Sequence, residues 1–492
     1  MLLSNNHPNC ASKYSRITHH FLFWDGNIVT ITFEKYAKIN GSTNILIIGF
    51  GSIGPAVLPL IIRHLDVDKK QISIIASENT NQKIAQQYGI HFECVTLTKN
   101  NYKEILTSKL TSGDFLLNLS VNISSLDLIL FCHELNISYL DTSLERWLSE
   151  KDSDECLHER RTKLMTHKEY LKSGPTALIC NGANPGLISH IAKQAILDVA
   201  EKVTNNPPQI PTTQEEWAKL VKDLNIVTLH IAERDTQFSL QGRQSDEYVN
   251  TWSVPGLLDE SLEHTGFSWG THEYELPNKV VKKIEETDNY RFIQLSKYGA
   301  NTRVKTWIDD QGIFHGFVIP HAESFSLAEY FCYRDKQTNQ ISHPTIHYAY
   351  QPCNDAIMSL QDAVTNNQTN PDKTRILHSD IVDGCDELGV LILRQNSPEI
   401  YWLGSKLSIQ EARSLVSNNT ATSLQVAIGI LVGIIHVINN PGQGLIEPEQ
   451  CDFVQALKIA SPYLGKFSGQ WGVWPEESDY SWTFADLSVN LI

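Results

Sequence analysis

Apolar positions follow two different rhythms along this chain. Up to about residue 190, short continuous apolar runs alternate with segments of helical period. Residues 45–48 read ILII and lead directly into Gly49-Phe50-Gly51-Ser52-Ile53-Gly54, after which an apolar-rich segment begins. This pattern predicts a buried strand, a tight glycine turn and the start of a helix. Further strands are expected over 71–76, 92–97, 114–120, 138–145 and 176–180. Helices are expected over 81–88, 102–110 and 126–135, and a charged one over 150–174 that stops at Gly174-Pro175. Strands and helices in this alternation make an α/β fold, a doubly wound parallel sheet of Rossmann type.

The second rhythm begins near residue 225. Strand-like runs at 226–231, 237–240, 248–254, 302–308 and 312–319 are punctuated by glycine and proline, and a late pair follows at 380–394 and 399–403. The helix alternation is gone. A second domain of α+β type with a largely antiparallel sheet is expected. Residues 203–213, with Pro207-Pro208 and Pro211, read as a connector. Residues 422–438 form an apolar helix carrying Gly429-x-x-x-Gly433, a spacing that allows close helix packing in a core or at a dimer interface. Ahead of the first domain, eighteen or so polar residues read as a loose arm. Residues 21–24 and 28–33 then read as a strand pair around Asp25-Gly26-Asn27. The expected division is an N-terminal extension (1–40), a dinucleotide domain (41–190) and a catalytic α+β domain (191–420). A helical C-terminal segment (421–492) would pack on the first domain or at a dimer interface, and the expected assembly is a homodimer.

Composition narrows the function. The chain has 492 residues and a formal net charge of −16, which opposes nucleic-acid binding and suits a cationic small molecule. Its nine cysteines are scattered without a C-x-x-C pair, so neither a disulfide framework nor a metal site is expected. No secretory signal is visible, and the apolar stretch 426–438 is too short to span a bilayer. A soluble, cytoplasmic protein without membrane contact is the expectation.

The glycine turn carries the first chemistry. Gly49 allows the sharp turn, Gly51 lets backbone N–H groups of Ser52 and Ile53 approach a pyrophosphate, and Gly54 lets the helix pack closely. Phosphates would sit at a helix N-terminus, where unpaired N–H groups and the helix dipole favour anions. The ribose contact at the end of the second strand falls to Ser77 or Glu78, with Glu78 preferred. No arginine follows closely, which favours NAD over NADP. Asn118, Ser120, Asp141 and Thr142 lie at the carboxyl ends of later strands, where ligands of open parallel sheets bind. Taken singly, each also fits a capped strand-to-helix turn.

Four islands look over-specified for packing: residues 141–145, 181–186, 230–237 (extended by 250–254) and 319–324. Together they set Glu145, Asn184, Glu233, Trp252, His321 and Glu323 beside a nicotinamide. Two carboxylates a substrate-length apart would clamp a diamine. Trp252 would hold an ammonium by cation–π attraction worth about 0.5–2 kcal/mol, although a core role fits it as well. His321 would move protons near neutral pH, or be an ordinary buried histidine. Glu233 interrupts an apolar strand and is followed at once by Arg234, so a solvated ion pair is its alternative.

At these islands the chain resembles the bacterial homospermidine synthases, relatives of the saccharopine dehydrogenase group. The matching stretches include Ile48–Gly54 with Leu58-Pro59-Leu60, Asn118-Leu119-Ser120-Val121 and Tyr139-Leu140-Asp141-Thr142 with Glu145. They continue through residues 181–186, Glu233-Arg234-Asp235-Thr236-Gln237, Thr251-Trp252-Ser253 and His321-Ala322-Glu323. Residues 440–448 and Pro462-Tyr463-Leu464-Gly465 resemble the family's C-terminal part. Asn122 stands where the family tends to carry an aspartate. The resemblance implies that two putrescines give homospermidine and ammonia, with spermidine as an alternative aminobutyl donor. It implies NAD as a bound redox relay, with oxidation of one amine to an imine, exchange of the amine and reduction of the new imine. It also implies that Trp252 lines the channel, Asn184 and His321 lie in the amine pocket and Glu233 anchors an ammonium. The base is open among Glu233, His321 and Glu323. Two rivals are a relative acting on amino acids or carboxynorspermidine-type substrates, which would need Arg or Lys for a carboxylate, and an NAD-sensing dimer without turnover. Arg234 and Arg303 are the arginines that leave the first rival open.

Overall fold

The structure is a computed structural model. It describes residues 18–24, 27–150, 155–274, 280–366, 371–476 and 479–489, with side chains from residue 33 onward. The arm before residue 18 and the turn at Asp25-Gly26 lie outside the described residues. Thr18–Trp24 and Asn27–Phe33 pair as an antiparallel hairpin.

The first sheet is parallel throughout. Its strands are β1 (Ile45–Ile48), β2 (Ile72–Ala76), β3 (His91–Cys94), β4 (Phe115–Asn118), β5 (Ser138–Asp141) and β6 (Ala177–Leu178), in the spatial order 3-2-1-4-5-6. β1 and β4 are buried along their whole length, which explains their unbroken apolar runs. The helix after the glycine turn is α1 (Ile53–His64), and α2 (Leu187–Thr204) leads out of this sheet.

The second sheet is built from β7 (Ile226–Asp235), β8 (His264–Ser268), β9 (Val281–Glu286), β10 (Arg291–Tyr298), β11 (Arg303–Ile308), β12 (Gly312–Ile319), β13 (Thr345–Gln351), β14 (Cys385–Arg394) and β15 (Glu399–Ser408). The main path runs 9-10-8-13-7-14-15, and β12 pairs with β13 and β11. All its pairings are antiparallel except the central β7·β13 pair. β8, β9, β10 and β13 escaped the sequence reading. β13 (TIHYAYQ) is buried almost throughout and so lacks an alternating signal. The strand expected over 248–254 ends at Asn250. There Ser253 Oγ accepts the Gly256 N–H at 3.1 Å and caps α3 (Val254–Ser261), with proline in the first turn. A further helix, α4 (Glu323–Tyr330), follows β12.

The C-terminal segment carries its expected helix packed on the first domain, and adds strands to both sheets. α5 (Ala421–Asn439) packs on α1 and β5. β16 (Leu445–Ile446) then extends the parallel sheet beyond β6, and β17 (Lys466–Val473) returns to pair with β15. Residues 421–473 therefore stitch the two sheets together. By length and composition α5 could cross a membrane, contrary to the short stretch read from the sequence, but its apolar window is 89% buried inside the protein. The eight cysteines among the described residues are all free.

The two glycines of α5 have a specific task. A Cβ at Gly429 would overlap the carbonyl oxygen of Gly182, and one at Gly433 would overlap the Asn181 amide. Asn181 Nδ2 donates to Gly429 O at 2.8 Å. The helix thus offers a flat groove that seats the 181–186 loop. Gly429→Ala should cost about 1–3 kcal/mol through this overlap and lower the midpoint of thermal unfolding by several degrees. Scanning calorimetry of the variant checks this, and an unchanged midpoint would mean that the loop can lift away freely.

Candidate functional site

The glycine turn meets the demands of a dinucleotide. Gly49 has φ +88°, and a Cβ there would lie 2.7 Å from the backbone of Leu119 and Ser120. Nothing lies within 4 Å of a Cβ at Gly51, so that position faces open space at the mouth of the turn. Gly54 packs under the Phe50 ring rather than on the strand. Ser52 begins α1 without a side-chain cap, and no acidic residue occupies the first turn. The N-terminal amides, including that of Ile53, are thus left for an anion. Asn81 Nδ2 donates to Phe50 O (3.1 Å) and Gly51 O (2.7 Å) and braces the loop.

The other expected cofactor residues divide. Glu78 is exposed just past the end of β2, beside Thr80 Oγ1 at 3.4 Å. Asn118 is buried at the end of β4, and its Oδ1 accepts from Ser120 N (3.2 Å) and Oγ (2.5 Å). Thr142 is half-buried at the end of β5. Asp141 is instead an internal brace. Its Oδ1 accepts the Cys180 N–H at 2.7 Å, its Oδ2 accepts the Tyr139 hydroxyl at 2.9 Å, and burial pushes its pKa up to about 7.

The amine side begins at the carboxyl end of β7. Glu233 and Asp235 are two residues apart and share one sheet face. Tyr350 lies opposite Glu233 on β13, with Tyr348 two residues back, and Asp386 lies opposite Asp235 on β14. Glu233 Oε2 accepts from the Tyr348 hydroxyl (2.6 Å) and from Asn184 Nδ2 (2.8 Å). The 181–186 loop from the first sheet therefore touches the second sheet at this carboxylate. Trp252 sits half-buried in the turn before α3, and its Nε1 donates to the Tyr350 hydroxyl at 3.4 Å.

His321 lies between two carboxylates. Its Nδ1 is 3.2 Å from Glu323 Oε1 and its Nε2 is 3.3 Å from Glu260 Oε2. Its ring lies 4.2 Å from that of Tyr348. Glu323 is buried, and its other oxygen has no hydrogen-bond partner. Glu145 accepts the Asn122 N–H at 3.1 Å and the Ser143 hydroxyl at 3.0 Å, with Glu260 near enough to act on its charge. Glu145, Glu260, His321, Glu323, Glu233 and Asn184 thus form one continuous set across both sheets. Arg160, near Glu145, is committed to Glu263 at 3.2 Å. Arg234 points to Glu387 at 2.7 Å, and Arg303 lies over the Phe317 ring. Arg160 and Arg234 are thus committed within the chain and are not free carboxylate clamps.

Electrostatics distinguishes the candidates for the base. Burial raises Glu233 to about 7, although Tyr348 and Asn184 pull it down. Burial would lower His321, but Glu323 and Glu260 outweigh it and raise the imidazole to about 10. At neutral pH His321 is therefore a cation holding two carboxylates, while Glu233 is poised to gain or lose a proton. Burial also raises Asp235, and it raises Asp386 well above the ordinary range.

Glu260, Tyr348, Tyr350 and Asp386 were missed from the sequence. Glu260 reads as the polar face of a short helix, and the two tyrosines read as core positions of an apolar strand. Asp386 follows Gly384-Cys385 at the head of an apolar run, and that was the one usable signal.

Known proteins resemble this chain over nearly its whole length. The profile described as saccharopine dehydrogenase NADP binding domain matches residues 45–178, and the saccharopine dehydrogenase C-terminal domain matches residues 182–473. Homospermidine synthase of Blastochloris viridis is 37% identical over 475 residues, covering 92% of this chain and 98% of that protein. Homospermidine synthase of Mesorhizobium japonicum is 36% identical over 479 residues, covering 92% and 97%. A crystal structure of homospermidine synthase from Legionella pneumophila in complex with NAD superposes with a TM-score of 0.83 at 38% identity, covering 92% of this chain and 99% of that one. Saccharopine dehydrogenase from Saccharomyces cerevisiae, with a TM-score of 0.52 at 10% identity over 88% of this chain and all of that one, shares the fold.

The first two glycines of the turn should behave oppositely. Gly49→Ala should lower thermal stability by about 1–3 kcal/mol, from a positive φ and a backbone overlap. Gly51→Ala should leave the unfolding midpoint of the ligand-free protein unchanged and weaken NADH binding. Thermal unfolding and NADH fluorescence titration separate the two effects.

Proposed function

This chain belongs to the homospermidine synthase family within the saccharopine dehydrogenase group, and from that premise we propose how its site works. It is an NAD-dependent enzyme that transfers an aminobutyl group, so that two putrescines give homospermidine and ammonia. One observation carries the reading of the site: buried carboxylates cluster around Glu233, and Asn184, from the loop at the carboxyl edge of the dinucleotide-type sheet, reaches that carboxylate. NAD held at Gly49, Gly51, Ser52 and Ile53 would accept hydride from an amine carbon and return it to an imine carbon. The profile names NADP, but the residues after β2 include no arginine to meet a 2′-phosphate.

The chain's own groups do the remaining work. A primary alkylamine has a pKa of about 10.4 and must shed a proton before its carbon can release hydride. Glu233, raised to about 7, accepts that proton near neutral pH. Tyr348 and Asn184 fix its carboxylate. The distal ammonium is held by Glu145 and Glu260, and its charge takes over part of the balance that His321 provides in the free protein. Glu323, with one oxygen unpartnered, adds a second anionic contact. Trp252 closes the side of the channel and limits water, which would otherwise hydrolyse the imine. The second putrescine then attacks the imine carbon, ammonia leaves, and the new imine is reduced.

The eight free cysteines support a reducing, cytoplasmic setting. A homodimer remains our reading of the assembly. Its interface must lie away from Gly429 and Gly433, because those glycines are used within the chain.

Mass spectrometry of the protein with putrescine and trace NAD tests the function: homospermidine and ammonia should exceed the NAD present. Turnover of an amino acid with an oxo acid instead would favour the amino-acid rival, and NAD binding without turnover would favour the sensor. Glu233→Gln should lower turnover by about 10²–10⁴-fold and leave NADH binding intact. The ionised carboxylate is the active form, so kcat/KM should fall as pH drops below about 7. Tyr348→Phe removes a donor to that carboxylate and should move this limb upward by about half to one pH unit.

A further inference from the structure

A buried acid outside the amine pocket joins the two helices that carry parts of that pocket. Glu449 lies in the single turn Pro448–Gln450 that follows β16. Its Oε1 accepts the hydroxyls of Ser189 on α2 and Ser326 on α4, each at 2.8 Å. Both serines sit in the first turn of their helices. α2 starts directly after the 181–186 loop, so Ser189 lies five residues past Asn184. α4 starts two residues past His321, and Ser326 lies three residues past Glu323. The same short segment grips each helix a second time. Lys193 Nζ of α2 donates to the Glu449 main-chain oxygen at 2.5 Å and to the Tyr330 hydroxyl of α4 at 3.2 Å. Arg161 donates from Nε to Glu447 at 2.8 Å and from Nη2 to Glu329 of α4 at 2.7 Å. The other Glu449 oxygen is buried without a hydrogen-bond partner, and burial raises the carboxyl to about 7. The two serines therefore need an acceptor oxygen here, not a full charge.

We propose that Glu449 is a positioning residue for the transfer reaction: by tying the first turns of α2 and α4 to each other, it sets Asn184 and His321 against Glu233. The inference rests on the polyamine reading above and adds what keeps the two halves of the pocket in register. The levers are short. Ser189 lies about 3 Å along the axis from the start of α2, and Ser326 about 4.5 Å from the start of α4. Misplacing a reacting group by about 1 Å can cost about 10²-fold in rate, so a tie of this kind shows in catalysis. Glu233 reports on both arms. It is faced by Asn184 and Tyr348 as donors, by Tyr350 opposite it on β13, by Asp235 and Asp386 as like charges and by His321 as the cation. Asn184 belongs to the Ser189 arm and His321 to the Ser326 arm. Both lower the Glu233 pKa, so loosening either arm raises it.

Steady-state kinetics of the full chain with NAD and putrescine, followed across pH, tests the proposal. Glu449→Leu should lower kcat by about 10- to 10²-fold and move the acidic limb of kcat/KM upward by about half to one pH unit, with NADH binding intact. Glu449→Gln keeps an acceptor oxygen for both hydroxyls and should restore the wild-type limb. Ser189→Ala and Ser326→Ala each remove one hydrogen bond and decide the matter if Glu449→Leu fails to fold. Ser189→Ala should move the limb upward, and Ser326→Ala should also raise KM for putrescine about threefold to tenfold. Serine variants that lose thermal stability but keep the wild-type limb and KM would overturn the proposal, as would a Glu449→Gln variant as impaired as Glu449→Leu. A wild type that makes no homospermidine would instead overturn the polyamine reading itself.

Discussion

The structure depends on a burial that water would not choose. Glu233, Asp235, Asp386 and Glu323 are all buried, and His321 forms an ion pair with Glu323 among them. At about 7 Å and an effective dielectric of about 20, two such charges repel by about 2 kcal/mol. The free protein meets this in two ways. His321 keeps its proton and holds Glu260 and Glu323, while burial keeps Glu233 and Asp386 inclined to protonate. In the function proposed here a flexible dication would undo both devices, offering the same charge with better reach. Substrate recognition is then the completion of an unfinished charge balance.

That burial is possible because the two sheets meet at their carboxyl ends and are tied there. The 181–186 loop brings Asn184 from the first sheet to Glu233 on the second. It can approach only because α5 presents glycines instead of side chains. The same helix continues into β16 on one sheet, and the chain then supplies β17 to the other. The segment that looked like an appended helix is the fastener of the site. Asp141, expected at the cofactor, serves the same end by pinning β5 to Cys180 from below.

The parallel sheet was legible because its central strands are buried on both faces and its glycine turn has a fixed chemistry. Glu233, His321 and Glu323 were legible because charge interrupts or directly follows an apolar run. The rest of the site depends on pairing between distant strands. Tyr348 and Tyr350 carry no local sign of facing Glu233, since a tyrosine in a buried strand is ordinarily core. Asp386 gains its meaning only from its register with Asp235, and Glu260 only from the aim of α3 at His321. The strand expected through Trp252 failed because Ser253 and Pro255 start a helix, and that change leaves the indole at the edge of the pocket.

The central claim, that uncompensated buried carboxylates select a doubly charged chain, can be tested without turnover. Isothermal calorimetry should compare putrescine with n-butylamine, which has the same carbon chain and one ammonium, on the NAD-loaded protein. The account predicts that putrescine binds about 10²-fold or more tightly, the worth of one desolvated charge contact. Equal affinities, or tighter binding of an amino acid such as glutamate than of putrescine, would contradict it.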